Sequence, residues 1–145
     1  MSYLRQDYNA NLFNNSLILI VDDDPSSLDI VRTLLEMRNG RTLTAVNGKR
    51  ALDVLENHTP AFIVCDISMP VMDGWDFLKS VRADEKLAEI PVIALTAHAL
   101  RGDRERVLEA GFSGYMTKPI IPRVFAVEIK DLVEKTPAIR VRISS

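Results

Sequence analysis

At 145 residues, 47% hydrophobic and 26% charged, with a formal charge of −2 and a pI near 5.7, the chain has the makeup of one ordinary globular domain. It is long enough to bury about 70% of the surface its unfolded form exposes, and its charge balance favours neither nucleic acid nor an anionic membrane. A single cysteine excludes an internal disulfide, no apolar run nears the ~18 residues of a membrane span, and Met1-Ser2-Tyr3-Leu4-Arg5 lacks a signal-peptide core, so a cytoplasmic protein without membrane insertion is expected.

Residues 1–15 are polar and rich in Asn. They are expected to form a flexible N-terminal lead with one short helical turn around Leu4 to Leu12. From Ser16 onward, short apolar runs alternate with amphipathic segments at βα spacing. The runs Leu17-Ile18-Leu19-Ile20-Val21 and Phe62-Ile63-Val64-Cys65 are apolar on both faces, which only a sheet covered by helices on both sides can bury. The predicted strands are 17–21, 41–45, 61–65, 92–95 and 114–116, in a parallel, doubly wound α/β sheet. Cys65, inside one of them, reads as a packed core thiol.

The first helix opens on Asp24 as its cap and Pro25 at its first position, where a missing N–H costs nothing. Its core stripe is Leu28, Val31, Leu34 and Leu35, and Gly40 is expected to stop it in a left-handed conformation. A second helix over 49–57 buries Ala51, Leu52 and Leu55, and a third over 75–82 buries Phe77, Leu78 and Val81. The fourth, over 101–110, has only Val107, Leu108 and Ala110 to bury and should be the loosest. The fifth, over 122–134, presents Phe125, Ile129, Leu132 and Val133 as a core face. The domain should span 16–135 and leave a C-terminal tail, 136–145. There Ile139, Val141 and Ile143 alternate with Arg140 and Arg142 at the period of a strand, suited to an edge or a partner, although a frayed end is the expectation.

The chemistry lies at strand ends. Asp22, Asp23 and Asp24 follow one apolar run and Asp66 another, and Thr96 and Lys118 end the last two, which places a site at the carboxyl edge of the sheet. Converging carboxylates repel unless a cation sits among them, and a hard divalent ion, Mg²⁺ or Mn²⁺, suits such oxygens. Asp23 and Asp66 are the candidate direct ligands, with the Ser68 carbonyl, while Asp22 acts through water and Asp24 is the helix cap. Lys118 and the Thr96 hydroxyl would hold the oxygens of a phosphoryl group on Asp66, completing a phosphoryl-transfer site built on positioning and charge neutralisation.

The blocks Val21-Asp22-Asp23-Asp24-Pro25, Cys65-Asp66-Ile67-Ser68-Met69-Pro70-Val71-Met72-Asp73-Gly74, Ile90-Pro91-Val92-Ile93-Ala94-Leu95-Thr96-Ala97 and Gly114-Tyr115-Met116-Thr117-Lys118-Pro119 resemble those of two-component response-regulator receiver domains, in the right order. The resemblance implies a flavodoxin-like (βα)5 fold with strand order 2-1-3-4-5. It implies Asp66 as acceptor of a phosphoryl group from a histidine kinase or histidine phosphotransfer protein, Asp22 and Asp23 as the acidic pair, Thr96 and Tyr115 as the switch residues, and a cis Lys118-Pro119 bond. It further implies a phosphoacceptor signalling domain, with self-phosphorylation and autodephosphorylation, rather than an enzyme for an external substrate. A downstream protein would bind the face of the fourth helix, fifth strand and fifth helix, on a monomer or a weak phosphorylation-linked dimer. The expected role is that of a stand-alone regulator, with the receiver module of a hybrid kinase or multidomain relay as the alternative.

Plainer readings stand beside these. The 69–74 segment could be only a turn, Tyr115 a core aromatic, His98 either a solvated loop residue or a side chain at the mouth of the site, and His58 surface. Trp75 should pack on or near the third helix. Arg101, Arg104 and Arg106, interleaved with acids, make either a solvated or a docking face. A haloacid-dehalogenase-type phosphatase would need Asp where Ser68 stands. A flavodoxin-like carrier would not place three aspartates where its phosphate binds.

Overall fold

Each apolar run becomes a strand, and because every connection between strands carries a helix, all five lie parallel. The computed structural model of the chain describes residues 10–97 and 103–135. The expectations for Leu4, His98, Arg101 and the tail from Thr136 lie outside these. The elements are β1 (Leu17–Val21), α1 (Pro25–Glu36), β2 (Arg41–Ala45), α2 (Gly48–Leu55), β3 (Phe62–Asp66), α3 (Gly74–Ala83), β4 (Val92–Thr96), α4 (Asp103–Ala110), β5 (Gly114–Thr117) and α5 (Pro122–Glu134). The sheet order is β2-β1-β3-β4-β5, the order the receiver resemblance implies. Its register pairs Val21 with Ala45 and Cys65, Asp66 with Leu95, and Thr96 with Thr117, so the carboxyl ends of the strands lie side by side.

Two cores follow from the alternation of side chains along the strands. Leu19, Val21, Ile63, Cys65, Val92 and Ala94 pack on one face beneath Ala51, Leu55, Phe77, Leu78, Val81 and Val107. Ile18, Ile20, Phe62, Val64, Ile93 and Leu95 pack on the other beneath Val31, Leu35, Phe125, Ile129 and Val133. The capping chemistry is as expected at Asp24, whose Oδ1 accepts from the Ser26 amide at 3.1 Å. Asn47 and Asp73 cap α2 and α3 in the same way, accepting from the Arg50 and Asp76 amides at 2.9 Å. In α4 only Val107 is buried, while Leu108 and Ala110 face water, so this helix rests on the thinnest apolar contact of the five.

Three features depart from the sequence reading. The left-handed residue after α1 is Asn39, with φ 67°, not Gly40. Gly40 is needed for space instead, since a Cβ there would lie 2.9 Å from both Ile18 Cδ1 and the Leu35 carbonyl oxygen. The end of the polar lead is part of the fold. Phe13 is fully buried against Phe62, its amide donates to the Arg38 carbonyl at 3.0 Å, and Asn14 and Asn15 turn the chain into β1 with positive φ, which Asn tolerates well. Arg82, expected only as the end of a helix, is a half-buried clamp. Its guanidinium donates to the carbonyls of Gly111 (2.9 and 3.2 Å), Ala88 (3.1 Å) and Ile90 (2.6 Å), joining α3 to the loops that flank β4 and β5. Desolvation pulls its pKa below the ordinary arginine value.

Candidate functional site

The side-by-side strand ends deliver their polar residues to one place. Asp22 follows β1 and is 2% exposed, and Asp66 closes β3 at 7%. Oxygens of Asp22, Asp23 and Asp66 lie within 4.8 Å of one another. Lys118, just beyond β5, spans the two buried acids, with Nζ 3.2 Å from Asp22 Oδ2 and 3.5 Å from Asp66 Oδ2. Backbone bonds hold these positions: the Asp22 amide donates to the Ala45 carbonyl at 3.0 Å, and the Lys118 amide to that of Thr96 at 2.8 Å. The Asp24 amide donates to Asp22 Oδ1 at 2.9 Å and the Ser68 amide to Asp66 Oδ1 at 3.3 Å. The Lys118-Pro119 peptide is cis, as the resemblance implies.

Lys118 pairs with two of the three clustered carboxylates, Asp22 and Asp66, and the electrostatics show the deficit. Desolvation is the main cause that raises Asp66 from 3.8 to about 6; the neighbouring Asp22 charge adds to it, and Lys118 only partly offsets it. Burial alone would lower Lys118, but the Asp22 and Asp66 carboxylates outweigh it and hold the ammonium above its ordinary value. Asp22 Oδ2 is buried and, although close enough to Lys118 to feel its charge, receives no well-directed hydrogen bond. An all-oxygen, anionic donor set with an unsatisfied buried oxygen fits a hard divalent cation.

The loop after Asp66 is shaped by close packing. A Cβ on Gly74 would sit 2.7 Å from the Asp66 carbonyl oxygen and 2.8 Å from Ile67 Cα, so only glycine lets α3 begin against the end of β3. Val71, 79% exposed, has φ 70°, and the Met72 amide reaches back over it to the Pro70 carbonyl at 2.8 Å, a strained γ-turn for a β-branched residue.

Thr96, Ser68 and Tyr115 meet at a second feature, a cavity of about 150 Å³ that they line with Ile67, Trp75, Asp103, Arg106 and Val107. Trp75 stands at the start of α3, as expected, yet packs across to the α4 side. Its ring meets Phe112 edge-on at 5.7 Å, and the Arg106 guanidinium lies 5.8 Å above it while also pairing with Asp103 at 3.5 Å. Arg106 is therefore tied to the site's wall, which the pattern of alternating charges could not reveal. Tyr115 is half-buried, its phenol raised by desolvation and then by Asp103. His58 is a surface residue whose ring sits 3.1 Å from the Val54 carbonyl. Cys65 is buried, its thiol pushed well up by burial and by Asp66, which makes it inert.

The chain belongs to the response regulator receiver domains, whose family model matches residues 18–130. It is thus a phosphoacceptor module of two-component signalling, a class that interacts with histidine kinases or phosphotransfer proteins and binds Mg²⁺ in an acidic pocket. Among curated relatives, the polar-differentiation response regulator DivK of Brucella anthropi is 38% identical over 107 residues, covering 73% of this chain and 87% of DivK. Among solved structures, the receiver domain of a histidine kinase from Syntrophus aciditrophicus superposes with a TM-score of 0.74 at 33% identity, covering 84% of this chain and 92% of that one. The receiver domain of the sensor histidine kinase PA1611 from Pseudomonas aeruginosa, solved with a magnesium ion coordinated in its active-site cleft, gives 0.73 at 31%, covering 84% and 97%. Among the described residues, no helix is long and apolar enough to cross a membrane.

Proposed function

We propose that Asp66 accepts the phosphoryl group, and that the chain acts as a diffusible regulator which phosphorylation switches between partners. The observation that carries this reading is the Lys118 ammonium held between Asp22 and Asp66 beside a cluster of three carboxylates. A carboxylate oxygen of Asp66 attacks the phosphorus of a phosphohistidine donor. The new O–P bond forms as the P–N bond breaks, and the imidazole nitrogen leaves with the electron pair. Lys118 is placed to follow the charge on the transferred oxygens, and Thr96, at the adjacent strand end, to donate to one of them. Mg²⁺, when bound, neutralises charge on the phosphoryl oxygens. Asp23, Asp66 and the Ser68 carbonyl would hold it, with Asp22 one water away. The coordinated magnesium in the PA1611 receiver supports this assignment. Water entering at the open mouth beside Ser68 would return the site to its free state, giving autodephosphorylation.

The output face is that of α4, β5 and α5. Thr96 drawn toward phosphorylated Asp66 leaves room at the cavity that Tyr115 already lines, and α4, with one buried residue, is the element such a shift would bias. The name of DivK, a response regulator, supports the diffusible role. The test is incubation with acetyl phosphate and Mg²⁺ followed by intact-mass and peptide analysis. One acid-labile phosphate on Asp66, absent from Asp66→Asn, is expected; labelling that persists in that variant would refute the assignment.

A further inference from the structure

Val107 is the only residue that α4 buries, so other contacts must help set where this helix lies. Beyond its carboxyl end, the Arg82 guanidinium of α3 grips the Gly111 carbonyl at 2.9 and 3.2 Å. Gly111 has φ 112°, a conformation that glycine adopts at little cost, which suits it as a pivot. Toward the amino end the tie is Arg106. Its guanidinium lies 5.8 Å over the Trp75 ring and pairs at 3.5 Å with Asp103, one turn earlier on the helix.

The ring beneath Arg106 is anchored to the acceptor strand. Trp75 follows Gly74, which packs so closely on the end of β3 that a Cβ there would lie 2.7 Å from the Asp66 carbonyl oxygen, and the buried Phe112 braces the ring edge-on at 5.7 Å. A swing of α4 away from α3 about Gly111 must therefore unstack Arg106 from a ring that stays in place. We propose that Arg106 is a positioning residue for the phosphorylation of Asp66: acting through Trp75, it holds α4 in the unphosphorylated arrangement and so limits how readily the site takes a phosphoryl group. This rests on the reading of Asp66 as the acceptor and α4 as the element that shifts. A contact made in one arrangement and lost in the other biases the equilibrium toward the first. The coupling is reciprocal, so weakening the stack must tighten binding at Asp66.

Beryllofluoride titration in Mg²⁺, followed by the fluorescence of the single tryptophan and paired with amide exchange, tests this on the full chain and on Arg106→Ala, Arg106→Lys and Arg104→Ala. Arg106→Ala should bind the mimic about threefold more tightly, the scale of one exposed cation–π contact, and should exchange faster across 103–110 before any mimic is added. Arg106→Lys keeps a cation for the ring and should lie between that variant and the parent. Arg104→Ala removes an equal charge from an exposed position on the same helix and should match the parent. A role in helix stability alone would speed exchange without tightening the mimic. If the parent's α4 responds to beryllofluoride while Arg106→Ala binds it no more tightly, the proposal falls by itself. A parent that binds the mimic with exchange across 103–110 unchanged overturns the output face and the proposal with it, and a parent that does not bind it overturns the reading of Asp66 and the proposal together.

Discussion

Replacing Asp66 by Asn should stabilise the metal-free protein even though it removes a partner of Lys118. The carboxyl titrates near 6 in the fold against 3.8 in the unfolded chain, chiefly through desolvation and then through Asp22. Across that interval the native state holds the proton more tightly than the unfolded state. Stability therefore falls as pH rises from about 4 to 6 and stays low above it. Linkage alone converts the difference to about 3 kcal/mol. The site opens to water and the variant loses the Lys118 contact, which reduces the expected gain to about 1–2 kcal/mol at pH 7.5. Urea unfolding in EDTA between pH 4 and 7.5 measures it directly: the two proteins should differ most at pH 7.5 and converge toward pH 4. Mg²⁺ at 100 times its dissociation constant should then stabilise the parent by about 2.7 kcal/mol and the variant far less. A variant no more stable at pH 7.5, or a difference independent of pH, would refute the argument that uncompensated charge is stored at this site.

Other consequences are equally measurable. Arg82→Ala leaves the carbonyls of Gly111, Ala88 and Ile90 without their donor and should cost about 2–4 kcal/mol in urea unfolding; Arg82→Lys should recover little, because an ammonium cannot span the same fan of acceptors. Gly74→Ala drives a methyl into the Asp66–Ile67 backbone, so it should lose about 1–3 kcal/mol and slow labelling by acetyl phosphate as well. Thr96→Ala should accept phosphate yet show little of the exchange response in α4 and β5 that a beryllofluoride mimic produces in the parent. Tyr115→Ala should keep labelling and lose response on the same face; a normal response in both variants would remove these residues from the switch.

The strands and helices were legible because their signals are local. The runs Leu17 to Val21 and Phe62 to Cys65 announce buried parallel strands by being apolar on both faces, and Asp24-Pro25 marks a helix start by its own chemistry. The set Asp22, Asp23, Asp66 and Lys118 could be read as one site because parallel strands bring their carboxyl ends to one edge, whatever the details of packing. Tertiary structure alone decided the rest. Phe13 in a polar stretch is a core residue only because Phe62 lies opposite it, and Gly40 is required by Ile18 rather than by its own dihedral angle. Arg82 and Arg106 resemble other surface arginines until the loops around Gly111 and the ring of Trp75 come within reach. The raised proton affinity of Asp66 belongs to the same class. It arises from desolvation and from a carboxylate 44 positions away in the chain, and neither exists before the strands have assembled.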